Sequence, residues 1–373
     1  MTLLAQMYDS TMSGAPSISG QAGTLISVLK ACLQDGFGQV TLDSLVVSGN
    51  VATCTKSGHG FAVLGGAGSS YPIVRIAGAT PSGLNGDFRL TGSTANTFTF
   101  ATSGISDQTA TGTITAKRAP AGFTEIYSGT NKSVMQSNQA ATYGWKGVLR
   151  IDDSPTQYPT LIMYESATGV DTGSGPTPAT SNWYMAKSSV ANSTARAWRL
   201  FADPLAFYLF VNADASTWGA NMFFGHINSY RAGDAYHCAL IAHSTAAANS
   251  SQLHLFDADT AAGMLRIYDQ SGATTAVRRY SHKRMTGMGY GGEAYRAAAD
   301  NAFHCAEVEL WEAGNTRSRG TMPGLYCPLH DSNPADGTVE SDVSGLSGHD
   351  LFVQQLQNAN YRAALDLTHW NRA

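Results

Sequence analysis

The sequence predicts a mainly β chain, built from antiparallel sandwich-like or barrel-like domains with one short N-terminal helix. Three observations point there. Short β-rich runs recur along the whole length and are separated by Gly, Asn and Pro turn signals. Only one stretch carries helical periodicity. The chain is rich in glycine and poor in charge: of 373 residues, 39 are Gly, and the 23 Lys+Arg and 27 Asp+Glu make up 13%, against about 25% in an ordinary domain.

Residues 1–40 are an arm followed by the helix. The SGAPSISGQAG stretch is small and polar and reads as extended chain. Arms of this kind order when they dock on something. In the helix, over 24–35, Thr24 is the expected N-cap. Leu25, Val28, Leu29, Cys32 and Leu33 form a single apolar face, and Gly36 is the natural stop. The first residues, MTLLAQMYDSTMSG, lack the basic and apolar regions of a signal peptide.

Residues 41–118 form a small inserted β module. LDSLVVSG, NVATCTKS, YPIVRIAG, GDFRLTG, NTFTFAT and TGTITAK read as its strands, divided by Gly49-Asn50, Gly65-Gly66, Asn85-Gly86 and Gly104. Asn85-Gly86 predicts a tight hairpin, because both residues tolerate positive φ. Alternation puts Phe98 and Phe100 on one face. Lys117-Arg118-Ala119-Pro120 reads as the exit linker.

Residues 119–373 form the main sandwich-like body. Its expected strands are FTEIYS, GVLRID, TLIMYES, WRLFAD, LAFYLFVN, HCALIAH, SQLHLFD, MLRIYD, AEVELW, HDLFVQQL and AALDLTH. The continuous apolar run Leu205 to Val211 predicts a strand buried on both faces. Two long loops, 168–182 and 328–348, are of a length that is usually functional or partner-contacting. A pattern also repeats: Tyr230-Arg231-Ala232, Asp234 and Ala235-Tyr236-His237-Cys238-Ala239 match Tyr295-Arg296-Ala297, Asp300 and Ala302-Phe303-His304-Cys305-Ala306. It reads as a duplicated loop-plus-strand unit.

The candidate chemistry is sparse. His237, Cys238, His304, Cys305, Cys327 and His330 are residue types that zinc accepts. Adjacent His and Cys on a strand point to opposite faces, so each pair offers one ligand to a common site. The expected role is a core Cys beside a hydrogen-bonded His, and no metal, cofactor or catalytic residue is assigned. The Gly287–Gly292 run lacks the strand–turn–helix setting of a phosphate loop. Asp257-Ala258-Asp259 and Asp152-Asp153 lack the other ligands of a calcium loop and read as solvated turns. Glu165, Glu307, Glu309 and Asp257 are the carboxylates that glycoside hydrolysis would use. Alternation places Glu307 and Glu309 on one face with Cys305 and Trp311, opposite His304, Val308 and Leu310, which is the pattern of a half-exposed strand.

Arg278, Arg279, His282, Lys283 and Arg284, with Tyr280 among them, are the sole basic cluster. A net charge of −4 argues against specific nucleic-acid binding. No apolar run reaches the length of a bilayer span. The five cysteines, with no CxxC, read as free thiols of a reducing cytoplasm.

Three stretches carry a family resemblance: SGQAGTLISVLKACLQDGFG, IAGATPSGLNGDFRLTGSTANTFTFATSGISDQTATGTITA, and RSRGTMPGLYCPLHDSNPADGTVESDVSGLSGHDLFVQQL with the upstream GHINSYRAGDAYHCALIAH. In these the chain resembles virion structural proteins of tailed bacteriophages and prophages of Gram-negative bacteria, of tail, neck, collar or head-accessory type. The resemblance implies a non-catalytic subunit, located in the virion and assembled in the host cytoplasm. Its partners would be copies of itself, in a symmetric homo-oligomer, and other virion proteins. On that reading residues 1–36 dock on a neighbouring subunit and their deletion impairs assembly more than folding. The 41–118 module projects outward, and 119–373 supplies the main packing surface. A second expectation is a glycan-binding host-recognition module, with Trp145, Trp183, Trp218 and the Tyr290–Tyr295 loop as stacking residues. The third is a depolymerase or cell-wall hydrolase using Glu307 or Asp257.

Overall fold

Ala206–Val211 is buried at every position, and its alternating side chains show why. Phe207, Leu209 and Val211 enter one core, while Ala206, Tyr208 and Phe210 enter another on the opposite face. A strand with apolar cores on both sides has no use for polar alternation. The computed structural model describes residues 2–62, 71–247, 261–272, 275–280, 303–313, 317–328, 334–341, 343, 345–356 and 362–371. Within them the chain is mainly β, in antiparallel sheets.

That strand belongs to the largest sheet. The sheet runs Gln6–Asp9, Trp198–Asp203, Ala206–Val211, Ala220–His226, Cys238–Ile241, Ala262–Met264, Thr275–Tyr280, Cys305–Glu312, Ser318–Pro328, Arg362–Asp366, Leu351–Gln355 and Val339–Glu340. It curls back on itself. Asn228–Ser229, two residues beyond Ala220–His226, pairs with Ser318–Pro328 several strands away. The second core, with Phe223, Ile241, Met264, Leu310 and Leu325, fills the concave side.

A five-stranded sheet covers the other face in the order Phe123–Gly129, Lys132–Ser137, Val148–Asp152, Thr160–Tyr164 and Trp183–Tyr184. Its Met135, Leu149, Ile151, Leu161 and Met163 meet Trp198, Leu209, Met222 and Leu240 of the large sheet. Leu25, Val28, Leu29, Cys32 and Leu33 of the N-terminal helix join the same core.

Residues 37–118 wrap around a core of their own, which includes Leu45, Val74, Ile76, Leu90, Phe98 and Phe100. Their eight strands run Phe37–Thr41, Thr115–Arg118, Ile73–Ala77, Gly86–Ser93, Thr97–Ala101, Val51–Thr55, Ser44–Ser48 and Gln108–Thr109. The first half of Gly86–Ser93 pairs with Ile73–Ala77 and the second half with Thr97–Ala101, around a register shift between Leu90 and Gly92. One bent strand thereby joins two halves of the barrel-like sheet.

Several expectations need correction. The tight hairpin is at Gly49-Asn50, where φ is 57° and 64° and Ser48 faces Val51. Asn85 instead has φ −94°. Its side chain bonds the N–H and C=O of Ala79, which closes a longer loop. The N-terminal stretch is not a free arm. Gln6–Asp9 is a strand of the large sheet, Thr2–Leu4 pairs with His369–Asn371, and Ile18 is completely buried. These contacts are all within one chain, so docking on a neighbour is not needed to order them. The helix is α over Thr24–Lys30 and π over Ala31–Asp35, with Gly36 (φ 74°) after it as expected. Thr24 is not its cap. Gly23 holds that position, and Thr24 Oγ1 bonds Ser19 O at 3.0 Å. A second short helix, Asn138–Tyr143, is capped by Ser137 Oγ on Ala140 N–H. MLRIYD contributes only Met264 to a strand, and SQLHLFD lies outside the described residues. Ala220–His226 and Ser318–Pro328 are strands that the sequence pattern did not reveal.

Candidate functional site

The outer face of the five-stranded sheet carries an open surface groove. Val134 faces Arg150, Arg150 faces Ile162, and Val148 faces Tyr164 across neighbouring strands. Val134, Val148, Ile162 and Tyr164 build an apolar outer cluster, completed by Ile126, Ala167 and Val170. The hairpin Ser166–Ala167/Gly173–Ser174 folds over part of it. Gly173 permits this: a Cβ there would lie 2.6 Å from the Tyr164 ring. The following segment is fixed by two bonds between Met163 and Thr177, 2.9 and 2.7 Å long.

Between the hairpin and this segment lies a groove of about 520 Å³. Ile162 and Tyr164 form its floor. Asp171, Thr172 and Gly173 line one wall, and Pro176, Pro178 and residues 179–182 line the other. Asp171 bonds Lys132 Nζ at 2.8 Å and also takes the Arg150 guanidinium. Those hydrogen bonds, first from Lys132 and then from Arg150, hold its carboxyl below the usual range. Among the described residues, Thr180, Ser181 and Asn182 make no side-chain hydrogen bond, and all three are exposed. The loop flagged at 168–182 by its length is therefore the frame of this groove.

No known protein family matches the chain, and neither does any curated protein. Among the described residues, no helix is long and apolar enough to cross a membrane.

Among the described residues, the metal-type residues are not brought together. Cys238 is in the main core. His237 shares its Nδ1 with Asp234 O and packs edge-on to Trp145 at 4.6 Å and to His226 at 4.7 Å. Cys327 faces Ala306 and Cys305 faces Pro328, so the two thiols point to opposite sides of their sheet. His304 precedes the strand that Cys305 opens. His330, and the second copy of the repeat up to Ala302, lie outside the described residues. Among the described residues, no three His, Cys, Asp or Glu are grouped to hold a metal ion.

The carboxylates have structural partners. Glu165 forms two bonds with Arg266, 2.5 and 2.7 Å, and Arg266 stacks 3.8 Å over Tyr236. Glu309 accepts Trp311 Nε1–H at 2.7 Å. Glu307 is on the same outward face, and burial, then the Glu309 charge, pushes its carboxyl up. Val308 and Leu310 point inward, as the alternation required. Neither aspartate is a solvated turn: Asp152 ends the strand Val148–Asp152, partly buried and paired with Lys132 and Arg150, and the Asp153 side chain is wholly buried against that of Lys187. Asp257 and Asp259 lie outside the described residues, as do His282, Lys283, Arg284, Gly287–Gly292 and Tyr290–Tyr295. Arg278, Arg279 and Tyr280 are on the strand Thr275–Tyr280, which faces Cys305–Glu312.

One feature, a buried ion-pair triad, had no sequence signal. Arg319, fully buried, bonds Glu312 at 2.9 Å and Asp234 at 3.0 Å, in a triad of which every member is enclosed. Burial alone would raise the Asp234 carboxyl, yet the Tyr236 N–H and Arg319 hold it below its ordinary value. The aromatic candidates also separate. Trp183 packs on the main core, and Trp218 lies 4.4 Å under the Arg199 guanidinium. Among the described candidates, only Trp145, stacked 4.9 Å from the exposed Tyr143, borders solvent through an aromatic pair.

Proposed function

We propose that this chain is a non-catalytic structural subunit of a tailed bacteriophage particle. It assembles as a symmetric homo-oligomer in the tail or neck, or on the head surface. One observation supports this above the others: among the described residues, many of the scarce charges are committed to pairs inside the chain. Lys187–Asp153, Arg319 with Asp234 and Glu312, Arg266–Glu165, Arg199 with Asp9 and Asp336, and Lys30–Glu125 are all such pairs. The described exposed surface, beside charges such as Asp107, Lys146 and Glu307, carries Thr, Ser, Gly and apolar side chains that include Val46 and Val51 on the module. Such surface loses little hydration energy on contact with a neighbour, and interface cores are depleted in charge for this reason. The resemblance in three stretches of sequence supports the particle as the setting. The test is sedimentation of the purified full chain together with electron imaging. A discrete ring or closed trimer is expected. A monomer at every soluble concentration, or the absence of the chain from purified particles, overturns the reading.

A second reading, a glycan-binding host-recognition module, is favoured by the preformed groove over Ile162 and Tyr164.

A further inference from the structure

We propose that the groove over Ile162 and Tyr164 binds a neutral pyranose oligosaccharide. The proposal rests on the second reading above and gives it a site and a ligand class.

The floor suits sugar rings. Ile162, Tyr164, Pro176 and Pro178 present apolar surface to the C–H faces of a pyranose. The wall suits hydroxyls. The Thr180 and Ser181 hydroxyls and the Asn182 amide lack partners among the described residues. Together they offer donors and acceptors, as a ligand with hydroxyl groups requires. The volume, about 520 Å³, falls among small-molecule sites of roughly 300–1,000 Å³.

Charge selects the class. Asp171 is the one carboxylate in the lining, and Lys132 and Arg150 hold it. Asp152 pairs with the same two cations. Two cations and two carboxylates sum to zero, and the groove presents no free cation to an acidic sugar. The floor strand Thr160–Tyr164 is paired along Val148–Asp152, and on its other side meets Trp183–Tyr184 and Thr177. An extended peptide therefore has no open strand edge to join there. Two margins of the groove are also tied in place before binding. Gly173 rests on Tyr164, and Thr177 is bonded twice to Met163, so little ordering cost falls on the ligand complex.

The test is titration of the full chain with cellopentaose, maltopentaose, chitopentaose and a galacto-oligosaccharide, with trigalacturonate and an unstructured peptide for comparison. Calorimetry and saturation-transfer NMR read the binding. At least one neutral oligosaccharide is expected to bind. Asn182→Ala should weaken it about fivefold, the loss of roughly one hydrogen bond. Ser181→Trp should abolish it by filling the groove, with melting temperatures unchanged. Tyr143→Ala, at the other aromatic surface, should have no effect. Failure of every neutral sugar to bind overturns this proposal and the second reading together. Binding that survives both groove variants, or that is lost in Tyr143→Ala, overturns the site and leaves the second reading standing. Binding of trigalacturonate or the peptide alone overturns the ligand class.

Discussion

Asp153 Oδ2 accepts the backbone N–H of Leu25 at 2.8 Å, joining positions 128 residues apart. The same oxygen takes the Ile26 N–H at 3.2 Å, and Oδ1 pairs with Lys187 Nζ inside the protein. A distant carboxylate thus supplies the cap that no residue of the helix provides, and it meets the positive end of the helix dipole. Asp153→Ala removes the cap and leaves the Lys187 ammonium enclosed without a counter-charge. The expected loss is about 3–5 kcal/mol of unfolding free energy, read by urea denaturation. A loss below about 1 kcal/mol would show that water reaches Lys187.

The N-terminal stretch is part of the folded core, so its removal should be felt there. Leu25, Val28, Leu29, Cys32 and Leu33 are completely buried, and Gln6–Asp9 supplies a strand. A chain lacking residues 1–36 is expected to lose its cooperative melting transition. Leu29→Ala in the full chain should cost about 2–5 kcal/mol. A truncated chain that melts cooperatively but fails to assemble would restore the arm as an assembly element.

His243 makes stability depend on pH. Burial pushes its imidazole down to about 3, so the ring stays neutral in the fold while the unfolded chain takes up a proton below about 6.5. Its contribution is complete above that value and is lost as pH falls towards 3. Each unit of separation is worth about 1.4 kcal/mol. Asp234, held below its ordinary range, acts in the same direction, but only below about 3.9. Urea midpoints should therefore fall between pH 7 and 5, and His243→Gln should flatten that slope. An unchanged slope in the variant would assign the dependence to other groups.

The thiols should be inert in the native protein. Cys32, Cys54, Cys238 and Cys327 are buried and Cys305 is partly so. Burial raises the Cys32 and Cys238 thiols and pushes those of Cys54 and Cys305 up to about 12. A thiolate is the reacting form, so a disulfide-exchange reagent at pH 8 should label slowly before denaturation and reach all five cysteines after it. Rapid labelling of one thiol in the folded chain would mark a local opening.

What was legible in the sequence was local and periodic. Leu205 to Val211, Phe98 with Phe100, and Val308 with Leu310 all announce their faces, because side-chain direction follows strand pleat. Ser318–Pro328 escaped notice because Gly320, Pro323 and Gly324 interrupt its pattern. Those residues serve tertiary needs: a Cβ at Gly320 would sit 1.9 Å from Asn228 O, and one at Gly324 would strike the Trp370 indole. Asn85-Gly86 misled because the Asn85 side chain has a better partner in Ala79 than a two-residue turn provides. Asp153 and Lys187 read as ordinary polar residues, since nothing local shows that 34 positions of chain return them to one another. For the groove, loop length pointed to 168–182, but its floor comes from a strand whose outer face only the sheet register defines.

Arg89, on the module strand Gly86–Ser93, grips the carbonyls of Ala5 and Thr368 with one nitrogen. Those carbonyls belong to segments that flank the paired first and last strands. One side chain of the module thereby ties together two segments of the body that lie 363 positions apart in sequence.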